Sequence, residues 1–252
     1  MLRKAIGYGL TAVLLALLCS CSQGGSRYGK AEPLDGLYVE RLSDNCLPLE
    51  PCGVSRNGEN LTIRYEFTAG DCLCTALPRL VCSDPELWEI TVNGHKAMPV
   101  KGLHLMGGQE GCYELAGLVR EGLNVICLTG NGTDASLSVR GDFDVEPSDS
   151  GGWVLSAAGV PGPGPLASQG LPFYTGQMAY RRSYELPSRV GRRILSIPGW
   201  EGSACELWIN YDKVADIDTK DIRMNVGRYL NPGQNDIQIR VSGWLLNDFT
   251  LE

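Results

Sequence analysis

The chain has 252 residues, 43% of them hydrophobic, with 32 glycines, 14 prolines and a net charge of −7. Mild acidity without a basic stripe excludes a nucleic-acid partner, and the length suits one large or two small cores. Zinc-ligand spacing is absent, because there are two histidines and no C-x-x-C pair among ten cysteines.

Residues 1–20 read as an export signal. Met1-Leu-Arg3-Lys4 is a positive start, and the apolar run from Ala5 to Leu18 is too short to span a bilayer. Leu18-Cys19-Ser20-Cys21 then resembles a bacterial lipoprotein signal, in which small Ser20 precedes the lipid-bearing Cys21. Cys19 fits poorly, since bulky Leu18 would sit at the cleavage point. The expectation is a bacterial cell-envelope protein, held to a membrane through a lipid on Cys21 and a small polar tether over 21–36. Losing Arg3 and Lys4 with the signal takes the charge to −9. In an exported chain Cys46 and Cys52 could bridge if the segment between them loops. Cys205 shares a strand face with Leu207 and Ile209 and reads as a small core residue.

Strand patterns dominate the rest of the chain. Leu61, Ile63, Tyr65 and Phe67 alternate with polar residues. Trp88, Ile90 and Val92 do the same and lead into Asn93-Gly94, a pair suited to the two positive φ angles of a type I′ hairpin turn. One short segment, Tyr113 to Arg120, has weak helical periodicity. Leu118-Val-Arg-Glu-Gly122-Leu-Asn124-Val-Ile-Cys-Leu128 reads as a sharp turn feeding a return strand.

The same order recurs later. Cys205-Glu-Leu-Trp-Ile-Asn210-Tyr-Asp-Lys matches Trp88 to Lys96, and Tyr229-Leu-Asn-Pro-Gly233-Gln-Asn235-Asp-Ile-Gln-Ile239 matches Leu118 to Leu128. Asn93 and Asn210 lie 117 residues apart, and Gly122 and Gly233 lie 111 apart. The chain therefore reads as two copies of one all-β unit. Tyr211 stands where the first copy has Gly94. Tyrosine tolerates positive φ poorly, so a longer or different turn is expected there. The first sandwich is expected over 37–146 and the second over 177–252. Between them, 147–176 reads as a linker, because Gly159-Val-Pro-Gly-Pro-Gly-Pro165 cannot build a ladder.

Gly176-Gln-Met-Ala-Tyr180-Arg-Arg-Ser-Tyr184-Glu-Leu-Pro187, Glu206-Leu-Trp-Ile-Asn210 and Asn231-Pro-Gly-Gln-Asn235 resemble the sugar-binding β-sandwich of glycoside hydrolase family 2. They are also similar to the C-terminal modules of large bacterial rhamnosidase-like enzymes, as are Asn45-Cys-Leu-Pro-Leu49 and Gly141-Asp-Phe143. The resemblance covers most of the chain beyond the signal. It implies two tandem galactose-binding-like jelly rolls, without the catalytic barrel that such modules accompany. It also implies a glycan or polysaccharide ligand, with a glycoside hydrolase or an envelope protein as a further partner. Structural calcium, common in this fold family, has candidates in Asp216, Asp218 and Asp221.

A glycosidase needs two carboxylates facing each other across the scissile bond, and no spacing here pairs any two. The expectation is a non-catalytic carbohydrate-binding or accessory protein of a polysaccharide-degrading system. Alternatives are an envelope scaffold that has lost its sugar site, or a detached piece of a hydrolase. Sugars stack their C–H faces on aromatic rings. One ring covering ~60 Å² supplies roughly 1.5 kcal/mol, whereas millimolar binding needs about 4 kcal/mol. A site must therefore combine rings with polar groups. Trp200 and Tyr211 are the leading candidates, followed by Trp208, Trp153 and Tyr174. For Trp208 the alternative is a domain interface.

Overall fold

The computed structural model describes residues 31–70, 78–100, 110–149, 151–243, 245–246 and 249–252. The expected signal, Cys21, Cys72, Cys74 and Trp244 lie outside these residues. The fold is all-β, with strands joined by turns and short 3₁₀ segments. No helix among the described residues is long and apolar enough to cross a membrane.

Two hydrophobic cores form. The first gathers Tyr65, Leu80, Ile126, Leu128 and Phe143, and the second Tyr180, Leu195, Leu207, Ile239 and Phe249. Each fully buried side chain of this size stabilises its unit by about 1.5–3 kcal/mol. Alternation decides which residues enter. Asn60–Ala69 buries every second side chain, because successive Cβ atoms of a strand point to opposite faces.

In the first unit one sheet runs Asn45–Leu49, Leu137–Gly141, Arg79–Ser83, Glu110–Glu114, Met98–Pro99. The other runs Phe143–Pro147, Trp153–Ala157, Asn60–Ala69, Gly122–Gly130, Trp88–Val92, His95–Lys96, with Pro51–Asn57 also on Asn60–Ala69. The main sheet of the second unit runs Glu32–Pro33, Gln177–Leu186, Gly233–Ser242, Ala204–Ile209, Asp212–Asp216, with Tyr38–Arg41 also on Gln177–Leu186. Ile222–Asn225, Ile194–Ile197 and Thr250–Leu251 form a smaller sheet whose Leu195, Ile197 and Leu251 join the same core. The segment with weak helical periodicity, Tyr113 to Arg120, is the end of the strand Glu110–Glu114 followed by a turn.

The duplicated motif folds twice in the same way. Asn93 and Gly94 have φ of 51° and 81°, and Asn210 and Tyr211 have φ of 50° and 73°. Ile209 pairs with Asp212 directly, so the second turn is also a two-residue turn. The expectation of a different turn at Tyr211 is thus corrected, since the Asn side chains impose the conformation. Asn93 Nδ2 donates to Asn124 Oδ1 at 2.8 Å, and Asn93 Oδ1 accepts from the Val125 amide at 3.0 Å. Asn210 Nδ2 donates to Asn235 Oδ1 at 2.9 Å, and Asn210 Oδ1 accepts from the Asp236 amide at 2.9 Å. Asn124 and Asn235 each donate to two carbonyls of the preceding turn, those of Arg120 and Gly122 or of Asn231 and Gly233. Both are buried, so these bonds replace water completely.

Of the expected tether and linker, the described residues Glu32–Pro33 and Trp153–Ala157 are strands of the sheets. Tyr38–Arg41 pairs with Gln177–Leu186 of the second sheet, which corrects the boundary at 37. Trp153–Ala157, within the span expected as linker, lies between Phe143–Pro147 and Asn60–Ala69 in the first unit's larger sheet. The Gly/Pro run 158–165 itself forms no ladder, as its composition requires. Beyond it Leu171 and Tyr174 enter the second core, while Phe173 packs against the first. Buried Asn45 donates to the Phe143 and Gly170 carbonyls at 2.9 and 3.0 Å. Arg41 bonds the Asp144 carboxylate at 2.9 Å and the Phe143 carbonyl at 3.0 Å. Gly170 is required here: a Cβ on it would lie 2.4 Å from the Asp144 Cβ.

Cys46, Cys52, Cys82, Cys112, Cys127 and Cys205 are free. Cys46 and Cys52 sit on strands of different sheets, so the loop on which a bridge depended does not form and both stand as free thiols. Cys205 is buried in the second core, as its strand position predicts.

Candidate functional site

The outer face of the second unit's main sheet is built by the side chains that alternate away from the core. Register aligns Tyr38, Arg181, Gln238, Trp208 and Lys213 in one row across five strands. Beside it runs a second row of Glu40, Ala179, Arg240, Glu206 and Asp216. The Arg240 guanidinium lies over the Trp208 ring at 3.8 Å from the centroid, and Trp208 Nε1 donates to Glu206 at 2.9 Å. The stack and the hydrogen bond together fix the indole. Lys213 donates to Glu206 at 2.8 Å and to Asp216 at 2.7 Å. The Lys213 hydrogen bond, aided by that from Trp208, holds the Glu206 carboxyl below its ordinary range. Gln238 bridges the rows, accepting from Arg240 Nε at 2.9 Å.

Tyr211 stands at the end of this face and is 77% exposed. Its hydroxyl accepts from Arg181 at 3.1 Å, and the Arg181 guanidinium lies 5.5 Å from its ring centroid. Arg181 Nε is held by both oxygens of Asp236 at 2.8 Å, which raises its pKa further above the usual value. Tyr38, 51% exposed, lies opposite Arg181 on the neighbouring strand. Asp35, Tyr38, Arg181, Arg182 and Ser183 line a cleft of about 220 Å³. Arg181 thus stands between two exposed phenols.

The other sequence candidates lie elsewhere. Trp200 is 8% exposed in the second core and donates through Nε1 to the Thr219 carbonyl at 2.8 Å. Strand Ala204–Ile209 separates it from Tyr211, a span of about 20 Å at the strand rise. The expected Trp200–Tyr211 pair is therefore not brought together. Tyr174 is 5% exposed, and its hydroxyl donates to the Gln177 carbonyl at 2.6 Å. It lines an apolar cavity of about 330 Å³ with Leu166, Leu171 and Pro172. Trp153 is half-exposed at the other unit, edge-on to Phe173 with centroids 4.9 Å apart. Trp208 and Tyr211 share the face, and the sequence reading missed Tyr38 and Arg181. Register with a strand 137 or more residues away sets their position, which local patterning does not carry.

Asp216, Asp218 and Asp221 are exposed, and Asp216 is engaged by Lys213. No three potential metal-ligating side chains gather among the described residues, these calcium candidates included.

The duplication supplies an internal control. In the first unit the matching row reads Gly53, Arg64, Cys127, Thr91, Lys96. The arginine, the lysine and its bond to a glutamate recur there, as Arg64, Lys96 and Glu89. The aromatics do not: Tyr38, Trp208 and Tyr211 stand where the first unit has Gly53, Thr91 and Gly94.

No family model and no curated protein matches the chain. Among solved structures it is similar to an α-L-rhamnosidase of Streptomyces avermitilis complexed with L-rhamnose, at 12% identity and a TM-score of 0.30, over 85% of this chain and 24% of that one. A β-D-mannosidase from Dictyoglomus thermophilum is similar at 10% identity and a TM-score of 0.26, over 85% and 33%. A Ruminococcus gnavus β-glucuronidase is similar at 11% identity and a TM-score of 0.29, over 90% and 47%. The chain spans between about a quarter and a half of these enzymes' lengths, and likeness at this level carries nothing about its activity.

Proposed function

We propose that this protein is a non-catalytic glycan-recognition module, accessory to polysaccharide breakdown. The observation that carries this reading is the set of three aromatics confined to the outer face of the second unit. Tyr211 strengthens it, because a tyrosine held at φ 73° stores strain of about 1–3 kcal/mol. Strain of that kind persists where a side chain serves a role, and the twin turn meets the same geometry with Gly94 at no such cost. Several rings flanking polar groups reach the roughly 4 kcal/mol that millimolar binding needs, which one ring does not. The carboxylates beside the row support a non-catalytic role. Glu206, Asp216 and Asp236 are each engaged by a cation on the same sheet rather than facing a partner acid across a cleft.

The test is titration of the purified chain, without residues 1–20, against a panel of plant and host polysaccharides. Tyr211→Gly keeps the turn and removes the ring, so it is expected to weaken binding at least about tenfold. Unchanged affinity, or hydrolysis of a glycoside by the purified chain, rejects the reading. The Trp208–Arg240 stack favours one other occupant for this face, a protein, since Trp, Arg and Tyr dominate interface hot spots. A partner retained in excess free glycan would select that occupant. We further propose that the protein is exported and anchored through lipid on Cys21, supported by the Leu18-Cys19-Ser20-Cys21 sequence. Fatty-acid labelling in a bacterial host, abolished by Cys21→Ala, is the expected result.

A further inference from the structure

We infer that the ligand is a linear, uncharged oligosaccharide lying across the strands, and not a single terminal sugar. This rests on the glycan reading above and adds to it the ligand's length, direction and charge.

Length and direction follow from register. Tyr38 and Trp208 lie in one row on strands three steps apart, with Arg181 and Gln238 between them. At ~4.8 Å per step the two aromatics are about 14 Å apart, more than one pyranose covers and matched by about three linked ones. Lys213 continues the row by one more strand. The groups between the rings suit hydroxyls. Gln238 donates once to Glu40 and accepts once from Arg240, which leaves its carboxamide a second N–H and a second lone pair for a hydroxyl. Arg181 directs Nε at Asp236 and one Nη at Tyr211, which leaves further N–H groups for a ligand.

Charge follows from the pairing already present. Arg181 is neutralised by Asp236, and Lys213 by Glu206 and Asp216. Glu40 and Arg240 both hydrogen-bond Gln238. Arg181, Lys213 and Arg240 thus face four carboxylates, Asp236, Glu206, Asp216 and Glu40, so these rows carry no excess positive charge to attract a uronate or sulfate, whereas a hydroxyl needs none. The first unit's row keeps Arg64 and Lys96 but has Gly53, Cys127 and Thr91 in place of the two rings and the carboxamide. It offers the charges without the stacking surface.

Isothermal titration with xylo-, manno- and cello-oligosaccharides of one to six units, and with galacturonate oligomers of the same lengths, tests the inference. For one neutral series, affinity is expected to rise at least about tenfold from one to four units and then level off. Trp208→Ala should abolish that rise, leaving the tetramer bound no better than the dimer. Gln238→Ala serves as a second variant, with urea midpoints checking the fold of both. Length-independent binding that still requires Tyr211 would overturn the inference and leave the glycan reading standing. Preference for galacturonate would likewise overturn it, as would a length dependence that both variants keep. Failure to bind any sugar at any length would overturn the glycan reading and this inference together.

Discussion

The two halves of this chain share a scaffold and differ in what they display. Both close a two-residue turn with a buried Asn pair, Asn93 with Asn124 and Asn210 with Asn235. Both carry a Glu–Lys bond on the outer face, Glu89 with Lys96 and Glu206 with Lys213. One half presents Gly53, Thr91 and Gly94 along that face, and the other Tyr38, Trp208 and Tyr211. The buried Asn locks and the outer Glu–Lys bond recur, while the aromatics of the outer face are found in one half only. Under the proposed function, structural and ligand-binding demands fall on separable residues, and each can be changed without the other.

Four perturbations probe that separation. The largest effect is expected at the Asn locks. Asn235→Ala and Asn124→Ala each remove several buried hydrogen bonds and leave a partner carboxamide unsatisfied, at a cost of about 3 kcal/mol. Burial pushes the Cys205 and Cys82 thiols up to about 12, so each resists alkylation until its own unit opens. Thiol labelling during urea unfolding thus reads the two units separately. Equivalent locks predict similar losses, and a difference above about 1 kcal/mol would show that the twin motifs are not energetically equivalent.

Arg41→Ala comes next, at about 2 kcal/mol, because it leaves Asp144 largely buried without its cation. The loss falls between the units rather than on either core. The expected signature is a single unfolding transition splitting into two, with Cys82 and Cys205 exposed at different denaturant concentrations. Retention of one transition would mean that Phe173, Leu171 and Tyr174 suffice to couple the cores.

Exchange at the turns is smaller. Tyr211→Gly is expected to stabilise the second unit by up to about 1 kcal/mol while weakening ligand binding, and Gly94→Tyr to destabilise the first by about 1 kcal/mol. A Tyr211→Gly protein that is markedly less stable in urea would mean that the Arg181 contacts outweigh the strain.

The smallest effect is a pH dependence. The Glu206 carboxyl is held below its ordinary range, chiefly by the Lys213 hydrogen bond. Its contribution is therefore full above the unfolded pKa and is lost as pH falls through the depressed folded value. Glu206→Gln should slightly flatten the loss of stability between neutral and acidic pH, measured by urea midpoints. An unchanged slope would show that this ion pair does not contribute.

Legibility from sequence depended on how local each signal was. Alternation in Leu61 to Phe67, the Asn93-Gly94 turn and the repeated Gly-x-Asn announced strands, hairpins and a duplication, because each depends on residues within a few positions. Tyr211 shows where a local rule yields. Its propensity opposes positive φ, yet Asn210 and Asn235 impose the turn through bonds to a strand 25 residues away. Trp200 and Tyr174 looked available beside glycine and proline, and both are buried.

From sequence alone came the all-β class, two separate cores and the matched motifs, since a period of two and a turn with two positive φ angles are encoded residue by residue. Tertiary structure alone decided that Tyr38–Arg41 joins the second sheet, that Trp153–Ala157 joins the first unit's larger sheet, and that Tyr38, Arg181, Gln238 and Trp208 share a row. The physical reason is that an open sheet edge accepts any extended segment. Which segment pairs there depends on packing between residues far apart in the chain, and no local pattern encodes it.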